Sequence, residues 1–281
     1  MTDAPIIPAG CPGEQARYLI TLLFRAILAV SIALALMILL IPGPAFLAIS
    51  NYVQILAALA GSLVFLYCWS RCGHQEAFLW AASGLGIWGI ANIAWYVNVL
   101  LGLRALVFPS LIDLCMIASF LLLARGFRIG FPAGDTASYL PIGIAAASLI
   151  IPAAVIVTAG INLPTLVTLL YFLACGIFLA ACIRYPGTQH AALVAGSVLF
   201  ALAFMIYPLR EMFFVQAAFL NIIGTLVSAG FALIVPGWMR PVTEAYRSTR
   251  RPRIKYCNSA KNLYRDTAIS PYPKNRVVWR Y

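Results

Sequence analysis

Long apolar runs separated by short polar segments are the dominant pattern of this chain. A transmembrane helix needs about 20 apolar residues to cross about 30 Å of hydrocarbon. Eight runs of this kind cover residues 18–41, 46–70, 77–103, 107–127, 140–160, 163–183, 191–214 and 219–239. The pattern predicts an all-α, polytopic integral membrane protein with eight transmembrane helices, a short N-terminal segment (1–17) and a tail (240–281).

The hairpin formed by the third and fourth runs, residues 80–128, carries a carboxylate inside apolar sequence. Asp113 follows Pro109 by four residues, which predicts a position on the order of 10 Å into the fourth helix at about 1.5 Å per residue. An ionisable group within hydrocarbon costs about 2.5–3.5 kcal/mol on insertion scales. Such groups usually face the bundle interior and have a partner or a function, so we expect Asp113 to face inward.

Composition and charge agree with a membrane location and predict an orientation. The chain is 63% hydrophobic and 10% charged, whereas soluble domains are nearer half and a quarter. Cytoplasmic loops retain Lys and Arg. If both termini are cytoplasmic, the outer turns hold only Arg104 and Arg210 of all the basic residues. The sequence therefore predicts a multi-pass cell-membrane protein with its N and C termini in the cytoplasm.

The tail carries most of the net charge of +11. Eleven Lys and Arg stand there against Glu244 and Asp266, and a basic run beside a last span attracts anionic lipid headgroups by about 1 kcal/mol per charge. The alternative is that the tail only fixes topology. No nucleic-acid recognition fold fits in about forty Pro-interrupted residues, so the predicted partners are the lipid bilayer, its anionic headgroups and a cytoplasmic signalling protein, but no nucleic acid.

Polar residues within the spans gather in the predicted outer half. From these we predict a ligand-binding cavity that opens outward and is lined by Asp113, Arg104, Arg210, Glu211, Asn92, Trp95 and Tyr207. Asn51, Gln54, Asn98, Ser110 and Asn221 fall at similar predicted depths. One alternative is a buried pair between Asp113 and an arginine that orders helix packing and binds nothing. Another is that the Trp and Tyr are interfacial anchors.

Catalytic and metal-binding motifs do not occur in the sequence. The two histidines, His74 and His190, both fall in predicted cytoplasmic loops and form no HExxH motif, and there is no CxxC, phosphate loop or GxSxG. We therefore predict no metal, no cofactor and no enzymatic activity; a lipid-modifying enzyme that uses His74 and Glu76 is the alternative. Most of the seven cysteines lie in spans or on the predicted cytoplasmic side, so no structural disulfide is expected.

Two further patterns concern the arrangement of the helices. Residues 110–124 and 218–234 resemble each other, with Asn221 where the first segment has Asp113, which suggests two parallel units of four helices. Gly84, Gly86 and Gly89 allow close helix packing within the monomer or between copies. A homo-oligomer is therefore among the predicted assemblies.

The 77–128 region resembles a known family on a set of aromatic, glycine and polar positions. These are Trp80, Gly84, Trp88, Gly89, Asn92, Trp95, Pro109, Ser110, Asp113 and Leu114. The region is similar to the multi-span sensor region that precedes diguanylate cyclase, cyclic-di-nucleotide phosphodiesterase and histidine kinase domains. The resemblance implies an input module with Asp113 at the family's acidic position. We expect no output domain in the roughly forty residues after the last span, so a signal would need a partner protein.

Two functions follow from these patterns. The first is a sensor-like or ligand-binding membrane protein with an outward-facing polar pocket that signals through a partner. The alternative is a small-molecule transporter or flippase in which two four-helix units rock around Asp113 as a substrate or proton site.

Overall fold

The computed structural model describes residues 12–41, 43–72, 75–101, 108–130, 143, 146–183, 191–213 and 222–250, without the side chains of 44, 99, 210–213 and 240–250. Within these residues the chain is helical and contains no strand. The eight helices are α1 (Glu14–Leu40), α2 (Pro44–Arg71), α3 (Glu76–Leu100), α4 (Leu111–Gly130), α5 (Ile150–Ala159), α6 (Leu163–Ile183), α7 (Ala191–Phe213) and α8 (Ile223–Arg250). The predicted all-α class is confirmed.

Five helices, α1, α2, α3, α6 and α7, are long and apolar enough to cross a membrane. The length and apolar composition of these helices are therefore those of a membrane-spanning protein. Helix α4 has 20 residues but includes Asp113, Arg125 and Arg128. The apolar part of α8 ends at Met239, and α5 has only ten residues, so eight transmembrane helices are not confirmed.

The observed helix ends agree with the ends of the apolar runs in those helices whose length is determined only by the thickness of the hydrocarbon layer. Helix α6 has the predicted bounds, and α7 differs by one residue. Helix α4 begins four residues later than predicted, because Ser110 is its N-terminal cap. Asp113 is therefore in the first turn of α4, and the predicted depth of on the order of 10 Å along the helix is wrong.

Contacts divide the chain into two units, Met1–Val242 and Thr243–Tyr281. In the first unit α3 packs against α2 and α4, and α6 packs against α4, α5 and α7. An aromatic cluster fills the space between five of these helices, with Trp88, Phe120, Phe178, Phe200 and Phe231 all fully buried. The ring centroids of Phe120 and Phe200 are 4.6 Å apart and those of Trp88 and Phe231 are 5.0 Å apart. This cluster packs α3, α4 and α7 together beside the site described below.

Helices α7 and α8 meet at glycines that permit direct backbone contact. A Cβ atom on Gly196 would lie 2.7 Å from the carbonyl oxygen of Gly230, and one on Gly230 would lie 2.9 Å from the carbonyl oxygen of Gly196. Real Cβ contacts are longer than this, so alanine does not fit without a shift of one helix. Small residues at such crossings are how membrane helices approach closely.

Helix α1 lies at the periphery of the first unit. Only Phe24, Ser31, Leu34 and Ile38 of its 27 residues are buried. One polar contact of α1 is a hydrogen bond of 2.7 Å between the hydroxyl groups of Ser31 and Ser228, which joins it to α8. Most of the remaining α1 surface is apolar, with Leu22, Ile32 and Leu36 among its exposed side chains, and suits contact with lipid.

The cysteines differ from the expectation at one position. Cys68, Cys115, Cys175 and Cys182 carry free thiols. Cys72 at the end of α2 is disulfide-bonded, so the prediction of no disulfide is wrong there.

Candidate functional site

Asp113 is held by the cap of its own helix and by a tyrosine of another. Its Oδ2 accepts hydrogen bonds from the backbone N–H of Ser110 at 2.6 Å and from the Ser110 hydroxyl at 2.8 Å. A side chain three residues into a helix that reaches back to the N-cap N–H is the reciprocal half of a capping box. The Tyr171 hydroxyl donates to Oδ1 at 2.9 Å. Three hydrogen bonds thus satisfy a carboxylate that is 2% exposed.

Tyr171 was not among the predicted site residues. It lies in the middle of the apolar run LPTLVTLLYFLACG, where one tyrosine does not interrupt the hydropathy. Side chains of a helix tilt toward its N terminus, so the hydroxyl of Tyr171 reaches back toward the start of α6. A comparison of the polar residues near the start of α4 with those near the start of α6 would have paired Tyr171 with Asp113.

The predicted ion pair of Asp113 remains a prediction. Arg104 lies outside the described residues, and the side chains of Arg210 and Glu211 do as well, although α7 includes their backbone. In the described part of the chain, the partners of Asp113 are Ser110 and Tyr171.

A cavity of about 230 Å³ lies between α2, α3, α7 and α8, with Met116 of α4 at one side. Three predicted ligand-binding residues line it: Asn92, Trp95 and Tyr207. Asp113 is not among the lining residues. Tyr171 connects it to the cavity, because the Tyr171 hydroxyl lies 2.9 Å from Asp113 Oδ1 and 3.7 Å from the sulfur of Met116, which lines the cavity. The rings of Tyr171 and Tyr207 are also in contact, with centroids 5.9 Å apart.

One wall of the cavity consists of polar side chains from α2 and α3. Ser50, Asn51, Gln54 and Asn92 contribute to it, and Ser50, Gln54 and Asn92 are buried. Gln54 Nε2 donates to Asn51 Oδ1 at 3.1 Å, and Asn92 Nδ2 donates to the Trp88 carbonyl at 3.0 Å. Buried amides normally find partners for most of their donors and acceptors. These bonds use only part of the capacity of the three amides within the described residues.

A second part of the lining, the aromatic wall, consists of aromatic side chains. Trp88, Trp95, Phe204 and Tyr207 line it, and Trp88 is 1% exposed. The indole N–H of Trp88 has no hydrogen-bond partner among the described residues. A buried donor without a partner costs about 1–3 kcal/mol, so the protein tolerates an unfavourable polar group beside this cavity.

A glycine of α8, Gly224, lies against the polar wall. A Cβ atom at this position would be 3.0 Å from Ser50 Oγ, 3.4 Å from Gln54 Oε1 and 3.5 Å from Asn51 Oδ1. This position could not be predicted from the hydropathy pattern, because nothing in the run from 219 to 239 distinguishes one small residue from another. We call these three side chains and Gly224 the oxygen cluster.

No group of three or more His, Cys, Asp or Glu side chains that could hold a metal ion occurs in the described ranges. No family model matches the chain, and neither a curated protein nor a solved structure does. The resemblance to sensor regions therefore remains a prediction. So does the internal repeat, since Asn221 lies outside the described residues.

Proposed function

We propose that this chain is an integral membrane protein that binds a small molecule in the cavity between α2, α3, α7 and α8 and signals through a protein partner. In this proposal all eight helices belong to the membrane domain, and both termini are cytoplasmic. The basic tail contacts anionic lipid headgroups. The protein has no catalytic role.

The polar wall of the cavity is the observation that supports binding. A space that results only from imperfect packing in a membrane bundle would be lined by apolar groups, because a buried polar group without a full set of partners is costly. Here three amides and one hydroxyl converge on one space of about 230 Å³, and a buried indole N–H beside it has no partner in the described part. A ligand would supply the missing partners.

Asp113 has a positioning role in this proposal. Its bond to Tyr171 joins the start of α4 to α6, and Tyr171 contacts two cavity residues, Met116 and Tyr207. A ligand that moves Tyr207 would thereby act on the contact between α4 and α6. The sensor hypothesis therefore predicts that ligand binding in the cavity changes the packing of α4 against α6.

Thermal unfolding of the purified protein in lipid nanodiscs, with and without a library of metabolites, tests the proposal. A compound at 100 times its Kd adds about 2.7 kcal/mol, which corresponds to a shift in Tm on the order of 5 °C for a chain of this size. We expect the shift to be lost in Asn92→Ala and kept in Asn98→Ala, which removes an amide from the same helix outside the cavity. Shifts that survive in Asn92→Ala would contradict the proposal.

The choice between sensing and transport depends on the fate of the ligand. A sensor leaves its ligand on the side from which it came, whereas a transporter accumulates it inside proteoliposomes. Uptake that Asp113→Asn abolishes would favour the transport alternative. A kinase or cyclase gene beside this one would favour sensing, and a metabolic gene cluster would favour transport.

A further inference from the structure

The oxygen cluster presents hydrogen-bond acceptors to the cavity. The Ser50 hydroxyl donates to the Leu47 carbonyl at 2.9 Å, and Gln54 Nε2 donates to Asn51 Oδ1. These bonds occupy the Ser50 proton and one amide proton of Gln54. The oxygen atoms of Ser50 and Gln54 retain lone pairs, since each can accept two hydrogen bonds. A ligand group placed beside Gly224 would therefore donate rather than accept.

Neither a charged side chain nor a histidine lines the cavity within the described residues. A charged ligand would lose its hydration there without gaining a counter-ion, which is strongly unfavourable. The described part of the lining therefore favours an uncharged molecule.

The aromatic wall and the volume restrict the rest of the ligand. Trp95, Phe204 and Tyr207 offer ring faces and edges, which pair well with a flat ring. The cavity volume of about 230 Å³ is below the roughly 300–1,000 Å³ that is typical of pockets for drug-sized ligands. One ring with a short polar substituent fits this space, and a fused ring system with several substituents does not.

From these observations we infer that the cavity takes a small uncharged ring compound with an amide or hydroxyl group that donates to the oxygen cluster. The inference rests on the proposed function and adds the chemical class of its ligand. The same chemistry occurs in solutes that arrive from water and in ring headgroups of lipid-soluble molecules. The test must distinguish these two sources.

Three related probes test the class and the source. Nicotinamide has an uncharged ring with a carboxamide donor, and nicotinate replaces the carboxamide with a carboxylate. The third probe, 5-decylnicotinamide, keeps the carboxamide and adds a chain on the ring that partitions into the bilayer. We expect nicotinamide or its decyl derivative to bind the full-length protein in nanodiscs, measured by calorimetry, and nicotinate to bind at least about tenfold more weakly. If the decyl compound binds more tightly than nicotinamide, the natural ligand reaches the cavity from the membrane. If the decyl compound does not bind, the natural ligand reaches the cavity from water.

A glycine substitution with a matched control locates the binding. Gly224→Ala places a methyl group 3.0 Å from Ser50 Oγ, and Gly86→Ala places one 3.1 Å from Ser62 Oγ, outside the cavity. We expect Gly224→Ala to raise the Kd of the bound probe at least about tenfold, since the methyl group occupies the position of the donor. Gly86→Ala should leave the Kd within about twofold. Should Gly224→Ala not fold, Ser50→Ala removes an acceptor without added bulk and should weaken binding about fivefold.

Equal binding of nicotinate and nicotinamide would overturn the inference, as would a Kd that neither Gly224→Ala nor Ser50→Ala changes. Failure of all three probes, together with a library compound whose binding still requires Asn92, would overturn the ligand class and leave the proposed function standing. If no compound requires Asn92 for its binding, both the ligand class and the proposed function are overturned.

Discussion

The hydrogen bond between Tyr171 and Asp113 gives the sharpest prediction about the stability of this protein. Tyr171→Phe removes the 2.9 Å bond from the hydroxyl to Asp113 Oδ1 and leaves the ring in place against Tyr207. Hydrogen bonds to charged groups contribute about 1.5–3 kcal/mol in soluble proteins. Couplings between polar side chains of membrane helices are smaller, with an average of about 0.6 and a maximum of about 1.7 kcal/mol.

Asp113→Asn is expected to be the more damaging of the two substitutions. The Oδ2 atom of Asp113 accepts two hydrogen bonds from Ser110, and an amide NH₂ at that position would face two donors. Rotating the amide instead turns the NH₂ toward the Tyr171 hydroxyl, which can accept but must then redirect its own proton. We expect a loss of about 1–3 kcal/mol for the unsatisfied groups.

A double-mutant cycle of Tyr171→Phe and Asp113→Asn measures the coupling, with equilibrium unfolding in mixed micelles as the assay. Phe172→Leu on the adjacent buried position is a control that perturbs α6 without touching the carboxylate, and its effect should add to that of Asp113→Asn. We expect a coupling of about 0.6–1.7 kcal/mol for the tyrosine. A coupling of zero would refute the role of this bond in joining α4 to α6, and so remove the positioning role of Asp113.

Three further predictions concern packing, the α1 attachment and orientation. Gly196→Ala should lower the Tm by several degrees, because its Cβ would lie 2.7 Å from backbone and side-chain atoms of α8. The control is Gly143→Ala, where a Cβ meets no atom within 4 Å, and it should change the Tm by less than about 1 °C. Equal effects of the two substitutions would argue against the close crossing of α7 and α8. Ser31→Ala should destabilise the protein by about 0.6 kcal/mol through loss of the bond to Ser228, and Ser31→Thr should recover part of this loss in the same unfolding assay. A cysteine introduced between 258 and 281 should react with a membrane-impermeant maleimide only after the cells are opened, and labelling of intact cells would reverse the predicted orientation.

The helices could be predicted from the sequence because the thickness of hydrocarbon sets the length of an apolar run. Helix α6 illustrates this, since its bounds equal those of the run. The start of α4 could not be predicted in this way, because Val107 to Pro109 are apolar and continue the run, and only the capping geometry of Ser110 ends it. Hydropathy detects the environment of a segment but not the hydrogen bonds that terminate a helix.

The candidate site could be predicted only in part. Asn51, Gln54, Asn92 and Tyr207 share a predicted depth, and depth can be counted along each helix from its end. Which faces of α2, α3 and α7 meet cannot be counted, because it depends on side-chain packing between helices distant in sequence. For that reason the contribution of Gly224 was missed, and the predicted inclusion of Asp113 among the lining residues was not observed.

The length of α1 has a consequence for its behaviour in lipid. Its 27 residues extend for about 40 Å at about 1.5 Å per residue, which exceeds the roughly 30 Å of an average hydrocarbon layer. The helix must either lean or push one or two turns into the headgroups, and a bilayer of different thickness changes the balance between these solutions. Since the hydroxyl groups of Ser31 and Ser228 join α1 to α8, reconstitution into short-chain and long-chain lipids should change the strain on that hydrogen bond.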